Sequence, residues 1–142
     1  TPICLDESIS SAMAAWQAID LGACRTINIK PGRVGGLSEA LAIHAACRET
    51  GTGMWVGGML ESAVGARICL ALAALDGYTY PADIFPSRRF YAQDLSRPEL
   101  ELVAGPDGEP RIALSDEPGI GAAPDLDRLA ACCREHTRIV AD

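Results

Sequence analysis

The residues able to do chemistry in this chain fall at regular intervals, each just after a short apolar run. Asp6-Glu7 follows Pro2 to Leu5, Lys30 follows Thr26 to Ile29, Gly57-Gly58 follows Met54 to Val56, and Asp83 lies in Tyr78 to Ile84. A carboxylate can hold a divalent cation, which takes oxygen ligands. A lysine kept out of water beside another cation can serve as a neutral base. A double glycine lets backbone approach a ligand closely. Lys30 is the only lysine, against eleven arginines. Arginine does not lose its proton in a protein, so a base of this kind must be lysine. A GC-rich genome produces the same bias without any chemistry.

The intervening residues must position these groups. Ser10 or Ser11 caps a helix with Ala12, Ala15, Trp16 and Ile19 on one face, stopped by Gly22. Leu37 to Thr50 reads as a second helix, with Leu37, Leu41, His44 and Ala45 sharing a face and Gly51 as the stop. Ser62 to Leu75 reads as a third. The apolar runs are the strands between them, and the fourth is interrupted by Pro81.

Strand ends near residues 6, 30, 57 and 83 are spaced by 24, 27 and 26 residues. That period predicts α/β architecture with a parallel sheet, and in particular four units of a (β/α)₈ barrel, half of a closed one. A doubly wound open sheet is the alternative, but Asp6-Glu7-Ser8 is not the glycine-rich loop it usually carries. Beyond residue 90 the pattern changes. Leu100 to Ala104 and Arg111 to Leu114 flank the turn Pro106-Asp107-Gly108, predicting a hairpin. Asp125 then caps a final helix, Leu126 to His136. The division is thus 1–90 and 91–142.

Each candidate also has a plain structural reading. Asp6 can cap the turn after its strand, Lys30 can be a surface charge, and Asp83 can be a turn residue. Gly32 to Gly36 lacks the Gly-Lys-Ser/Thr end of a phosphate loop. His44 reads as a packed histidine, and His136 as a helix C-terminal one. Glu61 reads as a helix-start carboxylate.

Composition narrows the partners. A net charge of −7 leaves no basic stripe for nucleic acid or an anionic membrane surface. No apolar run has the length of a membrane span. Six cysteines without a CxxC pair, four of them in apolar segments, indicate buried thiols in a reducing cytoplasm. The chain starts at Thr1, at the edge of a strand, and reads as a piece of something longer.

The blocks Pro2-Ile3-Cys4-Leu5-Asp6-Glu7-Ser8, Asn28-Ile29-Lys30-Pro31-Gly32-Arg33-Val34-Gly35-Gly36, Gly57-Gly58-Met59-Leu60-Glu61-Ser62 and Ala82-Asp83-Ile84 with Ser87-Arg88-Arg89-Phe90-Tyr91 resemble the enolase superfamily. Within it the likeness is to the muconate-lactonizing subgroup, best to o-succinylbenzoate synthases and N-acylamino acid racemases. The resemblance covers nearly the whole chain. It implies barrel units five to eight of a modified barrel, plus a C-terminal segment returning to a capping domain that the chain lacks. It implies that Asp6 is a metal carboxylate, Lys30 one of two acid/base lysines, and Gly58, Met59, Leu60, Asp83 and Ile84 substrate-lining. Glu7 and Glu61 would stand behind them.

The chemistry so implied is removal of a proton α to a carboxylate. The resulting enediolate is held by Mg²⁺, or Mn²⁺ in its place, with lysine as base. The implied partners are a small-molecule carboxylate substrate, the missing N-terminal barrel half and cap, and a further copy in a homo-oligomer. Gly57-Gly58-Met59 replaces the histidine expected of a mandelate racemase-like site, and Ala82-Asp83-Ile84-Phe85 lacks the Asp-x-Asp expected of a dipeptide epimerase. Two other readings stay open: a non-catalytic half-barrel that needs a partner chain, and another cycloisomerase-like lyase or isomerase.

Overall fold

A computed structural model describes residues 1–78 and 80–135. Strand β1 (Cys4–Leu5) is followed by helix α1 (Ala12–Asp20), and β2 (Thr26–Ile29) by α2 (Pro31–Val34) and α3 (Leu37–Thr50). Strand β3 (Gly53–Val56) is followed by α4 (Ala63–Ala73). The three strands form one parallel sheet in the order β1-β2-β3, pairing Leu5 with Ile27 and Ile29 with Val56. Parallel neighbours need crossovers, and the helices supply them.

The local chemistry explains the boundaries. Ser11 caps α1, its hydroxyl accepting from Ala14 N at 3.2 Å. Gly51 ends α3 in the left-handed region at φ 70°, a conformation only glycine adopts without strain. The turn α2 was not foreseen. Pro31 at its first position has the φ a helix start needs, and Gly35 closes it.

Ile27 and Ile29 point to the helical side and are fully buried with Ile9, Ala15, Ile43, Met54, Val56 and Leu72. The buried face of α3 is Ala40, Ile43, His44 and Cys47, whereas Leu37 and Leu41 are exposed. The face expected through Leu37 and Leu41 is therefore rotated: α3 packs against both α1 and β2, and the face that meets them carries Ile43 and His44 as well as small residues. His44 is packed, as its surroundings suggested. Its Nε2 lies 2.8 Å from the Asp76 carbonyl oxygen, and its ring stands 5.0 Å from that of Tyr78.

Among the described residues the fourth strand shrinks to a parallel bridge between Gly57 and Asp83, as Pro81 withdraws a donor from the ladder. All six cysteines are free. Cys24, Cys47 and Cys69 are buried, whereas Cys132 and Cys133 are exposed, and so is Cys4, which pairs in register with Thr26 on the face opposite the core residues Ile27 and Ile29.

The C-terminal segment clasps α4. Asp94 is fully buried and accepts from Ala63 N, at 3.1 Å to each oxygen, from Ser96 N at 3.0 Å and from the Ser87 hydroxyl. Strand β4 (Ser96–Arg97) pairs with β7 (Ala123–Pro124), and β5 (Val103–Ala104) with β6 (Pro110–Arg111), a shorter hairpin than expected. Asp125 caps α5 (Leu126–Cys132) by accepting from Arg128 N at 3.2 Å. His136 lies outside the described residues.

Candidate functional site

Strands β1 and β2 end side by side, which brings Asp6 and Lys30 together. Lys30 Nζ lies 3.1 Å from Asp6 Oδ2 and 3.7 Å from Glu7 Oε1. The Lys30 side chain is 17% exposed, Asp6 37% and Glu7 82%. Glu7 is thus a solvent-side neighbour of the pair.

Arg33 completes the cluster. Its Nη1 donates to Asp6 Oδ1, its Nε to the Ile9 carbonyl at 2.9 Å, and its Nη2 to the Asn28 carbonyl at 2.6 Å. One guanidinium therefore ties the loop after β1 to the end of β2, and its side chain is only 10% exposed. Sequence reasoning discounted this arginine with the loose phosphate-loop motif. Its usable signal was position: three residues after Lys30, it stands one turn of α2 away from the strand end.

The loop after β3 lies beside this pair. A Cβ placed on Gly32 would sit 3.6 Å from Met59 Sδ, so Met59 reaches the Lys30-Pro31-Gly32 turn. Met59 and Leu60 are both more than half exposed. Tyr91 donates its hydroxyl to the Leu60 carbonyl at 3.0 Å, and Glu61 Oε2 accepts from Met59 N at 2.6 Å. Glu61 thus braces the loop from within. Its negative charge also adds to burial in holding Cys69 protonated, the thiol pushed up to about 12.

The double glycine has a packing reason. A Cβ on Gly57 would fall 2.3 Å from Asn28 Oδ1, and one on Gly58 would fall 2.6 Å from the Asp83 carbonyl oxygen. Side-chain and backbone atoms of this same chain fill both spaces. Asp83 is exposed, while Ile84 packs against the main core and against a second cluster of Ala63, Ala66 and Leu100.

A divalent cation needs several oxygen or nitrogen ligands. Among the described residues no three histidines, cysteines or carboxylates come together, and both oxygens of Asp6 accept from Lys30 and Arg33. These residues supply one carboxylate at a strand end and do not compose a metal site by themselves.

Residues 1–128 match the family model described as enolase C-terminal domain-like. The o-succinylbenzoate synthase of Geobacillus stearothermophilus is 48% identical over 128 residues, which are 90% of this chain and 32% of that protein. The N-succinylamino acid racemase of an Amycolatopsis species is 47% identical over 124 residues, 87% of this chain and 32% of that protein. The crystal structure of an enolase-superfamily member from Listeria innocua superposes with a TM-score of 0.81 at 43% identity, covering 92% of this chain and 34% of that one. The chain spans about a third of the length of the relatives it matches.

Proposed function

The chain belongs to the enolase C-terminal domain-like family, and from that premise we propose that it is the C-terminal barrel portion of a divalent-metal-dependent enzyme that removes a proton α to a carboxylate. It is half of a TIM-barrel-type fold, and the relatives it matches are lyases and isomerases. The reaction proposed is that of an o-succinylbenzoate synthase, an N-acylamino acid racemase, or both. The observation that carries the reading is the Asp6–Lys30 pair, 3.1 Å apart at adjacent strand ends.

In this reading Lys30 Nζ is the proton carrier. Its ammonium form delivers a proton. After delivery it is the form that accepts one. Arg33 holds the carboxylate from its other oxygen, so the ammonium keeps a fixed partner. Met59 and Leu60 offer an apolar wall to an acyl or aryl group, with Gly58, Asp83 and Ile84 beside them. Glu61 acts behind this layer, bracing the loop through Met59 N, and Glu7 stands on the solvent side of Lys30. Magnesium or manganese requires ligands beyond this chain, and Asp6 is the one carboxylate contributed from here. The remaining partners in this reading are the N-terminal barrel half, a capping domain reached by residues 91–142, and a second copy of the full protein in the cytoplasm.

The test uses the complete protein with magnesium, in heavy water, with an N-acyl amino acid. Lys30→Ala is expected to abolish α-proton exchange of the one enantiomer whose proton faces Lys30. Exchange of both enantiomers at the parent rate would remove Lys30 from the reaction.

A second reading has its own observation. Among the described residues strand β1 has a neighbour on one side only, and Ile3, Met59 and Leu60 are exposed. An open sheet edge pairs readily, so the 142-residue piece alone is a non-catalytic half that needs another chain. Sedimentation as a stable, well-folded monomer would refute that reading.

A further inference from the structure

The loop between β3 and α4 is pinned at both ends and held lightly in between. At its start Gly57 N donates to the Ile29 carbonyl at 3.1 Å and Gly58 N to the Asp83 carbonyl at 2.7 Å. At its end Ala63 N donates to both oxygens of Asp94 at 3.1 Å. Met59, Leu60 and Glu61 lie between these anchors. Apolar packing holds them weakly, since Met59 is 52% exposed and Leu60 62%. The bond from Met59 N to Glu61 Oε2 is internal to the loop and moves with it. Among the described residues one hydrogen bond ties these three residues to the rest of the chain: Tyr91 Oη donates to the Leu60 carbonyl at 3.0 Å.

Tyr91 is itself anchored. Its N–H and that of Phe90 donate to the Ser87 carbonyl at 2.9 and 2.8 Å, and the Ser87 hydroxyl donates to Asp94. The phenol and the start of α4 therefore hang on the same buried carboxylate. A groove of about 370 Å³, lined by Leu60, Ser62, Ser87, Tyr91, Leu95 and Cys132, opens beside the loop. Leu60 thus has room to shift when the bond is absent. Tyr91 is 45% exposed, and a half-exposed phenol can bond water instead. The tie therefore adds little to stability, and its effect is on where the loop stands.

We propose that Tyr91 is a positioning residue that holds Met59 and Leu60 where an acyl or aryl group of the substrate meets them, and so sets the preference for that group. This rests on the reading of those two residues as the apolar wall of the site. Lys30 keeps its own partners, Asp6 and Glu7, so proton transfer itself does not depend on the phenol.

The experiment compares Tyr91→Phe with the parent in the complete protein with magnesium. Phenylalanine keeps the ring and removes only the donor. Hydrogen exchange at the Met59 amide should quicken about threefold or more, with α4 amides unaltered and the melting temperature within about 2 °C of the parent. α-Proton exchange is then followed for the N-acetyl and N-phenylacetyl derivatives of one amino acid. The ratio of KM for the N-phenylacetyl substrate to KM for the N-acetyl one should rise about three- to tenfold, with kcat for each within about twofold, the pattern of lost contacts to the acyl group. An unaltered Met59 amide overturns the tie. A quicker Met59 amide with an unchanged KM ratio overturns the role in specificity. A fall in kcat shared by both substrates overturns it too, because the phenol would then serve the reacting groups. A Tyr91→Phe protein that does not fold overturns the proposal, because the bond would then be structural. A parent that exchanges neither substrate defeats the proposed function and the role in specificity with it, while the amide measurement still decides the tie.

Discussion

Arg33→Met should loosen the site without unfolding the protein. Methionine keeps the unbranched stem and loses all five donors. Three interactions disappear: the pair with Asp6 and the bonds to the carbonyls of Ile9 and Asn28. The Asp6 side chain is 37% exposed, so water replaces much of that pair, and it is worth only about 0–1 kcal/mol. The two carbonyls belong to residues that are 1% and 2% exposed. Each bond from a charged donor is worth about 1.5–3 kcal/mol, giving roughly 3–6 kcal/mol for the two. Relaxation of the loop returns part of this, so a local loss of about 3 kcal/mol is expected.

The loss should appear in hydrogen exchange of two amides that the clamp holds in place. Ile9 N bonds to the Asp6 carbonyl at 2.9 Å and Val34 N to the Lys30 carbonyl at 3.1 Å. A loss of 3 kcal/mol corresponds to exchange about 100-fold faster at these amides. Amides in α4, remote from the clamp, should change little. Arg33→Lys should recover at most one of the three partners, because an ammonium is a point donor and not a fork. A change below threefold at Ile9 and Val34 would mean that Arg33 lies in the cluster without holding it.

Two further outcomes follow from the titrating groups. Burial pushes the Cys47 thiol up to about 11 and Cys69 to about 12, so neither presents a thiolate near neutral pH. In the native complete protein, peptide mapping after brief alkylation should find Cys132 and Cys133 labelled and Cys24, Cys47 and Cys69 labelled only in denaturant; equal labelling of Cys47 and Cys133 would contradict the packing. The hydrogen bond from Arg97, then that from the Arg128 amide, hold the Asp125 carboxyl below its ordinary range. A depressed folded value means the stabilisation is complete above the ordinary carboxylate pKa, about 3.9, and disappears as pH falls through the lower folded value. Unfolding followed from pH 5 down to pH 2 should show a smaller acid loss for Asp125→Asn than for the parent, and equal slopes would dismiss the clip.

Period and chemistry were legible in the linear order. Three parallel strands stand where short apolar runs predicted them, with Thr26–Ile29 and Leu37–Thr50 matching to the residue, because β-branched runs, Ser11 and Gly51 act locally. The polar residues after the strands marked the site for the same reason: a parallel sheet with helical crossovers gathers its strand ends on one side. Local signals could not say which helix face is buried, and α3 turned Ala40, Ile43, His44 and Cys47 inward rather than Leu37 and Leu41. Nor could they show that Pro81 reduces the fourth strand, among the described residues, to a bridge at Asp83. Arg33 and Asn28 carry no motif of their own. Their roles depend on the Ile9 carbonyl, Asp6 and Gly57, which lie more than twenty residues away in sequence. The sequence by itself determined which groups stand at the strand ends. Only the tertiary structure decided that Asp6 is shared between two cations, and that the space above Gly57 belongs to Asn28, because both depend on distances across strands that side-chain volume and charge settle together.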